Sequence, residues 1–422
     1  MKSMVESFSR ITAKQIEYNL CHLPQLVFEV TDSCNLRCKY CGYADLYGGY
    51  EKREDLKFPF YKAKMIIDYL HSIWKKNCCA GVIVPTVIGF YGGEPLLNMP
   101  FIRQVIEYIE SLEQVGRKFY YSMTSNAMLL NKYMDFIVKK EFSLLISLDG
   151  DKEGQGYRVD AAGNNSFDRV MANINLLRSA YPEYFKKHVM FNSVLHNKND
   201  VETIFNFIKT TFGKEPSISP LNTSGIRKDK VEEFNNTYKS FDESIEQAGN
   251  CEVLKNEMFI KNPQTNALLN YIYYQSGNVF WNHNDLLMQK SLLPIPPTGT
   301  CPPFSKKMFV TVKGRILQCE RINHEFVLGQ ITDTEVELDL EHIAEQHNGY
   351  VFKYARQCVH CANKNACAQC VYQIDDINEK NTKCESFCSA ELNKRKGERS
   401  LRYLVEHPEL YSKILTNVVI RG

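Results

Sequence analysis

The chain has 422 residues, enough for a large core and at least one further module. It is 44% hydrophobic and 24% charged, as ordinary globular proteins are, and a formal net charge of +2 argues against nucleic acid or an anionic membrane as partner. No apolar run reaches membrane-spanning length, and residues 1–24 mix charges with Tyr and Gln instead of forming a signal-peptide core, so a cytoplasmic address is expected.

From residue 25 to 222, short apolar strands alternate with helical patterns. Gln25–Thr31 is a predicted strand that runs into a cysteine-rich loop, and Tyr61–Lys75 has helical spacing at Met65, Ile66, Tyr69 and Ile73. Pro85–Tyr91 is the second strand, ending at Gly92-Gly93-Glu94-Pro95. Helix Phe101–Leu112, strand Phe119–Thr124, helix Leu129–Val138 and strand Phe142–Leu148 follow. Next come helix Phe167–Leu177, strand His188–Leu195, helix Val201–Lys209 with Asp200 as N-cap, and strand Ser217–Leu221. Six such units with short connections imply parallel strands and right-handed crossovers, in a partial (β/α)6 barrel or an open sheet. Ligands then sit at the carboxyl ends of the strands. The unusual residues lie there: the cysteine loop, Gly-Gly-Glu, Ser125-Asn126, and Ser147-Leu148-Asp149-Gly150.

Residues 223–300 form a bridging region. Asp229–Ala248 is polar and helix-like, Tyr271, Tyr273, Tyr274, Phe280 and Trp281 form an aromatic group, and a proline-rich stretch at 293–299 punctuates the chain before Cys301. A cysteine-rich module occupies 301–390, opening with a hairpin, Met308–Val312 and Ile316–Cys319 around Lys313-Gly314. Residues 391–422 carry a basic run and a helix-like Leu401–Leu415.

Eleven of the fifteen cysteines fall into two groups. Cys34, Cys38 and Cys41 are spaced C-x3-C-x2-C, with aromatic Tyr40 before the third. The second group is Cys301, Cys319, Cys358, Cys361, Cys367, Cys370, Cys384 and Cys388. In a reducing compartment such clusters bind soft metals, and three thiolates leave a coordination position open where a structural zinc site would close it. Cys21, Cys78, Cys79 and Cys251 are read as small buried hydrophobes.

C-x3-C-x-aromatic-C after the first strand resembles the radical S-adenosylmethionine (SAM) enzymes. That resemblance implies a four-iron cluster on Cys34, Cys38 and Cys41 whose open iron chelates SAM, and reductive cleavage to a 5′-deoxyadenosyl radical. It also implies SAM contacts from Tyr40, from Gly92-Gly93-Glu94, from Ser147 and Arg158 at the SAM carboxylate, and from Ser125, Asn126 and Asn192 at ribose or methionine. One departure is that Gln155-Gly156 stands where relatives carry His-Asp.

The second cysteine group resembles the SPASM extension of peptide-modifying radical SAM enzymes. Gly314-Arg-Ile-Leu-Gln-Cys319 matches its G-x4-C, whereas Cys367-x2-Cys370 stands in place of x3. The resemblance implies two auxiliary four-iron clusters. Cys301, Cys319 and Cys370 would serve the first, and Cys358, Cys361, Cys367 and one of Cys384 or Cys388 the second. A zinc ribbon is the alternative for C-x2-C-x5-C-x2-C. The expected activity is maturation of a ribosomally made peptide through a thioether or carbon–carbon crosslink, with a flavodoxin- or ferredoxin-type electron donor. The rivals are an anaerobic sulfatase maturase and, from another class, an inert metal-stabilised peptide-binding adaptor. Sulfatase maturases carry an Asp directly after the G-x4-C cysteine; here Glu320, the expected acid/base, looks more like the peptide maturases. With about 24 residues before the first strand, no separate leader-binding domain is expected.

Overall fold

The computed structural model describes residues 8–76, 83–113, 115–258, 265, 268–269, 271–272, 297–364, 367–375, 377–379, 382–384 and 386–417. Cys78 and Cys79, the aromatic residues Tyr273, Tyr274, Phe280 and Trp281, and the proline-rich 293–296 lie outside them. The chain divides into two compact units. One comprises residues 12–248 and 302–343; the other comprises 1–11, 249–301 and 344–422.

In the first unit, β1 (Gln25–Glu29), β2 (Val84–Tyr91), β3 (Arg117–Ser125), β4 (Ser143–Ser147), β5 (Val189–Leu195) and β6 (Ser217–Pro220) lie side by side in chain order. Every neighbouring pair is parallel. This is the α/β arrangement expected of a partial barrel, and β6 forms an edge, so the sheet stays open. The expected hairpin is also present. β7 (Met308–Val310) and β8 (Arg315–Leu317) pair antiparallel, and Gly314 in their turn has a positive φ of 83°. β7 then adds to β1 in parallel, and β9 (Gly329–Ile331) and β10 (Val336–Glu337) extend the sheet to ten strands.

The helices form where apolar spacing gives them a face to bury. α1 (Ala13–Cys21), which periodicity did not reveal, starts at a capping box in which Thr12 and Gln15 exchange hydrogen bonds. α2 (Phe60–Lys76) buries Ala63, Ile66, Ile67, Leu70 and Trp74, and the Trp74 indole donates to the Leu20 carbonyl at 3.0 Å. The Phe28, Phe58 and Phe101 rings meet at 5.7–5.9 Å between β1 and its flanking helices; burying one such ring contributes about 1.5–3 kcal/mol. The Asp200 side chain accepts from Thr203 N at 2.7 Å, as an N-cap should.

Three expected helices are broken. Leu129–Val138 is a 3-10 turn, Leu130–Lys132, followed by Met134–Lys139, because Tyr133 leaves helical geometry at φ −133°. Asp229–Ala248 holds two short helices, Val231–Thr237 and Phe241–Glu246, with Tyr238 extended and Ser240 capping the second. The C-terminal pattern splits into Ala390–Glu406 and Pro408–Asn417, since Pro408 cannot donate to the preceding turn but suits the start of a new helix. Among the described residues, no helix is long and apolar enough to cross a membrane.

Glu29, at the carboxyl end of β1, is only 1% exposed. Its carboxylate accepts the Tyr43 hydroxyl and, at 2.8 Å, the Val312 amide just beyond β7. Burial pushes its pKa up from 4.5 to about 7. A pKa raised in the folded state means that the stability this group supplies is fully present below about pH 4.5 and is lost as pH rises through about 7. Glu29→Gln should therefore flatten the fall in unfolding free energy between pH 5 and 8 by on the order of 3 kcal/mol, measured by urea titration at each pH. A wild-type profile parallel to that of the variant would refute the assignment.

Candidate functional site

The loop after β1 is held on two sides. Gly93 N donates to Thr31 O at 2.8 Å and Glu94 N to Ser33 O at 2.9 Å, which brings the β2 exit onto the start of the cysteine loop. Gly92 has φ +130°, and a Cβ there would stand 2.3 Å from Thr31 O; one on Gly93 would stand 2.0 Å from Ser33 O. Only glycine admits this approach. On the other side, the Asp32 carboxylate accepts the amides of Glu54 and Leu56 at 2.8 and 2.7 Å, and Thr31 Oγ1 donates to Leu56 O at 2.6 Å.

So braced, the loop brings Cys34, Cys38 and Cys41 to the wall of one cavity of ≈ 450 Å³, shared with Arg37, Tyr43 and Arg53. None of the three is in a disulfide. Among the described residues, no three His, Cys, Asp or Glu side chains converge tightly enough for a single ion. Three thiols around a cavity of this size suit a larger, thiolate-held group such as an iron–sulfur cluster. Each sulfur also faces a nitrogen donor: Asn126 Nδ2 lies 3.8 Å from Cys34, Arg158 Nη1 4.0 Å from Cys38, and Arg53 Nη2 3.3 Å from Cys41. Burial pushes the Cys38 thiol up to about 12 and raises Cys34 as well. A metal centre would have to displace those protons on binding.

The strand-end residues fall into a braced set and an unpartnered set. Glu94 is buried and accepts from Ser125 Oγ (2.8 Å), Asn126 N (2.8 Å) and Leu96 N (3.1 Å), so it fixes Ser125-Asn126 beside the cysteine loop. Its burial raises its pKa to about 7 against those three bonds. Arg158 grips the fully buried Asp149 through Nε (2.8 Å) and Nη2 (2.9 Å), and Tyr40 donates its hydroxyl to the same carboxylate. Asp149 also accepts Val194 N at 2.8 Å and faces His196 at 3.8 Å. Burial alone would raise Asp149, but the Arg158 charge and these bonds outweigh it and hold the carboxyl at about 2. Removing one partner of so buried a pair costs about 3–5 kcal/mol. Ser147 and Asn192, by contrast, stand opposite each other on β4 and β5 at the sheet's carboxyl end. Neither side chain is engaged by another described residue, which leaves both able to meet a ligand.

Glu320 lies one residue beyond Cys319, in the same unit. Both of its oxygens accept from Lys307 Nζ, at 3.1 and 3.0 Å. Burial works to raise its pKa, and the Lys307 charge reverses this and lowers it.

The second unit holds Cys301, Cys358, Cys361, Cys367, Cys370, Cys384 and Cys388. Cys361 and Cys367 line a cavity of ≈ 320 Å³. Cys358 is pushed up to about 11 by burial, with smaller contributions from Cys367, Cys384 and Cys361. Cys388 N donates to Cys361 Sγ at 3.4 Å. Cys370 is raised by burial and then by Cys301.

Residue spacing did not single out Arg53, Lys307, His196 or Asp149 as functional. Asp149 lies in the Ser147-Leu148-Asp149-Gly150 turn, but nothing local marks it as the partner of Arg158. Arg53 follows Cys41 by 12 residues and Lys307 precedes Glu320 by 13, separations that no periodicity explains.

Comparisons with known proteins bear on this geometry. Residues 28–209 match the Radical SAM superfamily. A cysteine-type anaerobic sulfatase-maturating enzyme of Clostridium novyi (strain NT) is 29% identical over 193 residues, 44% of this chain and 48% of that protein. The radical SAM cyclopropyl synthase TigE of Paramaledivibacter caminithermalis is 26% identical over 216 residues, 50% of this chain and 42% of that one. The chain thus spans about half the length of the curated relatives it matches. The solved structure of native anSMEcpe with bound AdoMet superposes with a TM-score of 0.60 at 18% identity, covering 94% of this chain and 100% of that one. Its complex with AdoMet and the Kp18Cys peptide gives 0.59, also at 18%, covering 93% and 99%. These two likenesses show a shared fold. The three thiols at the exit of β1, on parallel strands in this order, thus lie within the stretch, residues 28–209, that matches the Radical SAM superfamily.

Proposed function

We propose that this protein is a radical SAM peptide maturase, and that Cys34, Cys38 and Cys41 hold its SAM-binding four-iron cluster. The observation that carries this reading is the convergence of the three thiols on one cavity within the stretch that matches the Radical SAM superfamily. Bound there, the cluster and SAM supply a one-electron reductive cleavage whose 5′-deoxyadenosyl radical takes a hydrogen atom from the peptide.

The chain's own residues do the positioning. Glu94 orients Ser125 and Asn126, the unpartnered Ser147 and Asn192 offer polar groups to the SAM side, and Gly92-Gly93 keep the cysteine loop on the rim. Glu320, held ionised by Lys307, is the group poised to take a proton from the oxidised peptide. The cysteines of the second group would hold two auxiliary clusters, which when bound would supply an electron acceptor. Cys358, Cys361, Cys367 and one of Cys384 or Cys388 are assigned to one of them, supported by the cavity that Cys361 and Cys367 share and by the Cys388 amide 3.4 Å from Cys361 Sγ. Cys301 and Cys370 are assigned to the other, supported by the electrostatic effect of Cys301 on Cys370. A flavodoxin- or ferredoxin-type protein is the expected donor. Product formation is a thioether or carbon–carbon crosslink. The 29% identity to a sulfatase-maturating enzyme favours, as second reading, oxidation of a Cys or Ser to formylglycine.

Anaerobically purified protein should contain about twelve irons if all three clusters form and about four if only the first does. With dithionite and SAM it should release 5′-deoxyadenosine, and Cys38→Ala should abolish that release. Colourless zinc protein, or a variant that still cleaves SAM, would overturn the reading. Incubation of the reconstituted enzyme with a candidate peptide, followed by mass spectrometry, separates crosslink from formylglycine by mass change.

Glu320→Gln should retain SAM cleavage but lower peptide turnover by about 10²-fold or more, read by following 5′-deoxyadenosine and modified peptide in one assay. Equal loss of both products would show that Glu320 supports the cluster site rather than the proton transfer.

A further inference from the structure

Two of the three nitrogen donors at the thiol cavity carry a positive charge, and they differ in how that charge is balanced. Arg158 spends two of its nitrogens on Asp149, and only Nη1 turns to Cys38, at 4.0 Å. The buried carboxylate offsets most of its charge as seen by the sulfur.

Arg53 is in the opposite condition. Among the described residues no carboxylate pairs with it, and its Nε is buried without a hydrogen-bond partner. Its guanidinium lies over the Tyr43 ring at 4.7 Å and places Nη2 3.3 Å from Cys41 Sγ. Tyr43 in turn is anchored on Glu29, so the platform beneath the guanidinium is fixed. Arg37, another arginine on the cavity wall, is committed elsewhere and donates to the carbonyls of Cys34 and Leu36 at 2.6 and 3.1 Å. Neither is Arg53 needed to brace the loop. Asp32 and Thr31 bond to the backbone of its neighbours, Glu54 and Leu56.

An unbalanced cation directed at a thiolate stabilises negative charge on that thiolate. Hydrogen bonds to cluster sulfurs and net charge nearby are among the factors that set an iron–sulfur potential. We propose that Arg53 is a tuning residue of the centre held by Cys34, Cys38 and Cys41, and that it raises the reduction potential of that centre through its N–H contact with Cys41. Arg158, closer to charge-balanced and farther from sulfur, has the smaller effect. The proposal rests on the cluster assignment made above, and concerns how readily that cluster accepts its electron.

The test is a potentiometric titration of the anaerobically reconstituted full-length protein, followed by electron paramagnetic resonance at equal iron content. The signal that changes shape on adding SAM identifies the SAM cluster among any others. Arg53→Gln should lower the midpoint of that signal and leave the SAM-insensitive signals in place, while Arg53→Lys, which keeps the charge, should stay closer to wild type. Arg158→Gln should shift it less than Arg53→Gln. An unchanged midpoint in Arg53→Gln, with or without weakened SAM binding, would overturn the proposal. In particular, weaker SAM binding at constant potential would assign the guanidinium to SAM. If wild type shows no SAM-responsive iron–sulfur signal, the cluster assignment itself falls and this inference with it.

Discussion

The carbonyl oxygens of Thr31 and Ser33 lie where Cβ atoms on Gly92 and Gly93 would have to be. Everything at the candidate site depends on that contact. It ties the exit of β2 to the exit of β1 through two backbone hydrogen bonds, and it sets where the three cysteines begin. The Asp32 and Thr31 bonds to residues 54–56 then close the loop from the other side. A loop carrying three thiols has no regular structure to hold it, so its geometry must come from such satisfied backbone groups. The bareness of these two glycines is what lets the cysteine loop pack against them.

Charge is handled around the cavity by burial and pairing. Asp149 gathers Arg158, Tyr40 and the Val194 amide and keeps its carboxylate ionised in a site with no exposure. Among the described residues Glu94 and Glu29 have no cation in contact, so burial dominates and both carboxyls rise to about 7. Glu320 has Lys307 and moves the other way. Two kinds of carboxylate result within one unit. Some are structural and near-neutral, bonded to amides and hydroxyls, and others are ionised and held by a specific cation.

Much of the fold was legible because each β/α unit is a local pattern. Strands such as Pro85–Tyr91 and His188–Leu195 were placed to within a residue of Val84–Tyr91 and Val189–Leu195, since a buried parallel strand reads as an apolar run between turn signals. Helix interruptions at Tyr133 and Tyr238 were not, because a break in one or two dihedral angles leaves the apolar spacing intact. The three amino-terminal cysteines were likewise legible as one site, since ligands within a span of eight residues, 34–41, cannot separate far in space. Arg53, Asp149 and Lys307 were not, for each acts on a partner through a contact that sequence distance does not encode.

By itself, then, the sequence determined the parallel β/α order, the position of the cysteine loop at the first strand's end, and the soft-metal chemistry that three thiols prefer. These follow from local periodicity and from the donor atoms of the side chains. Only the tertiary structure decided that the hairpin at 308–317 joins the sheet beside β1, that Glu94 serves as a bracket for Ser125 and Asn126, and that Arg158 is clamped by Asp149 while Arg53 faces Cys41 with no acidic partner among the described residues. The reason is the same in each case. Which charges are balanced, and which polar groups remain available to a ligand, depends on neighbours that only folding brings together.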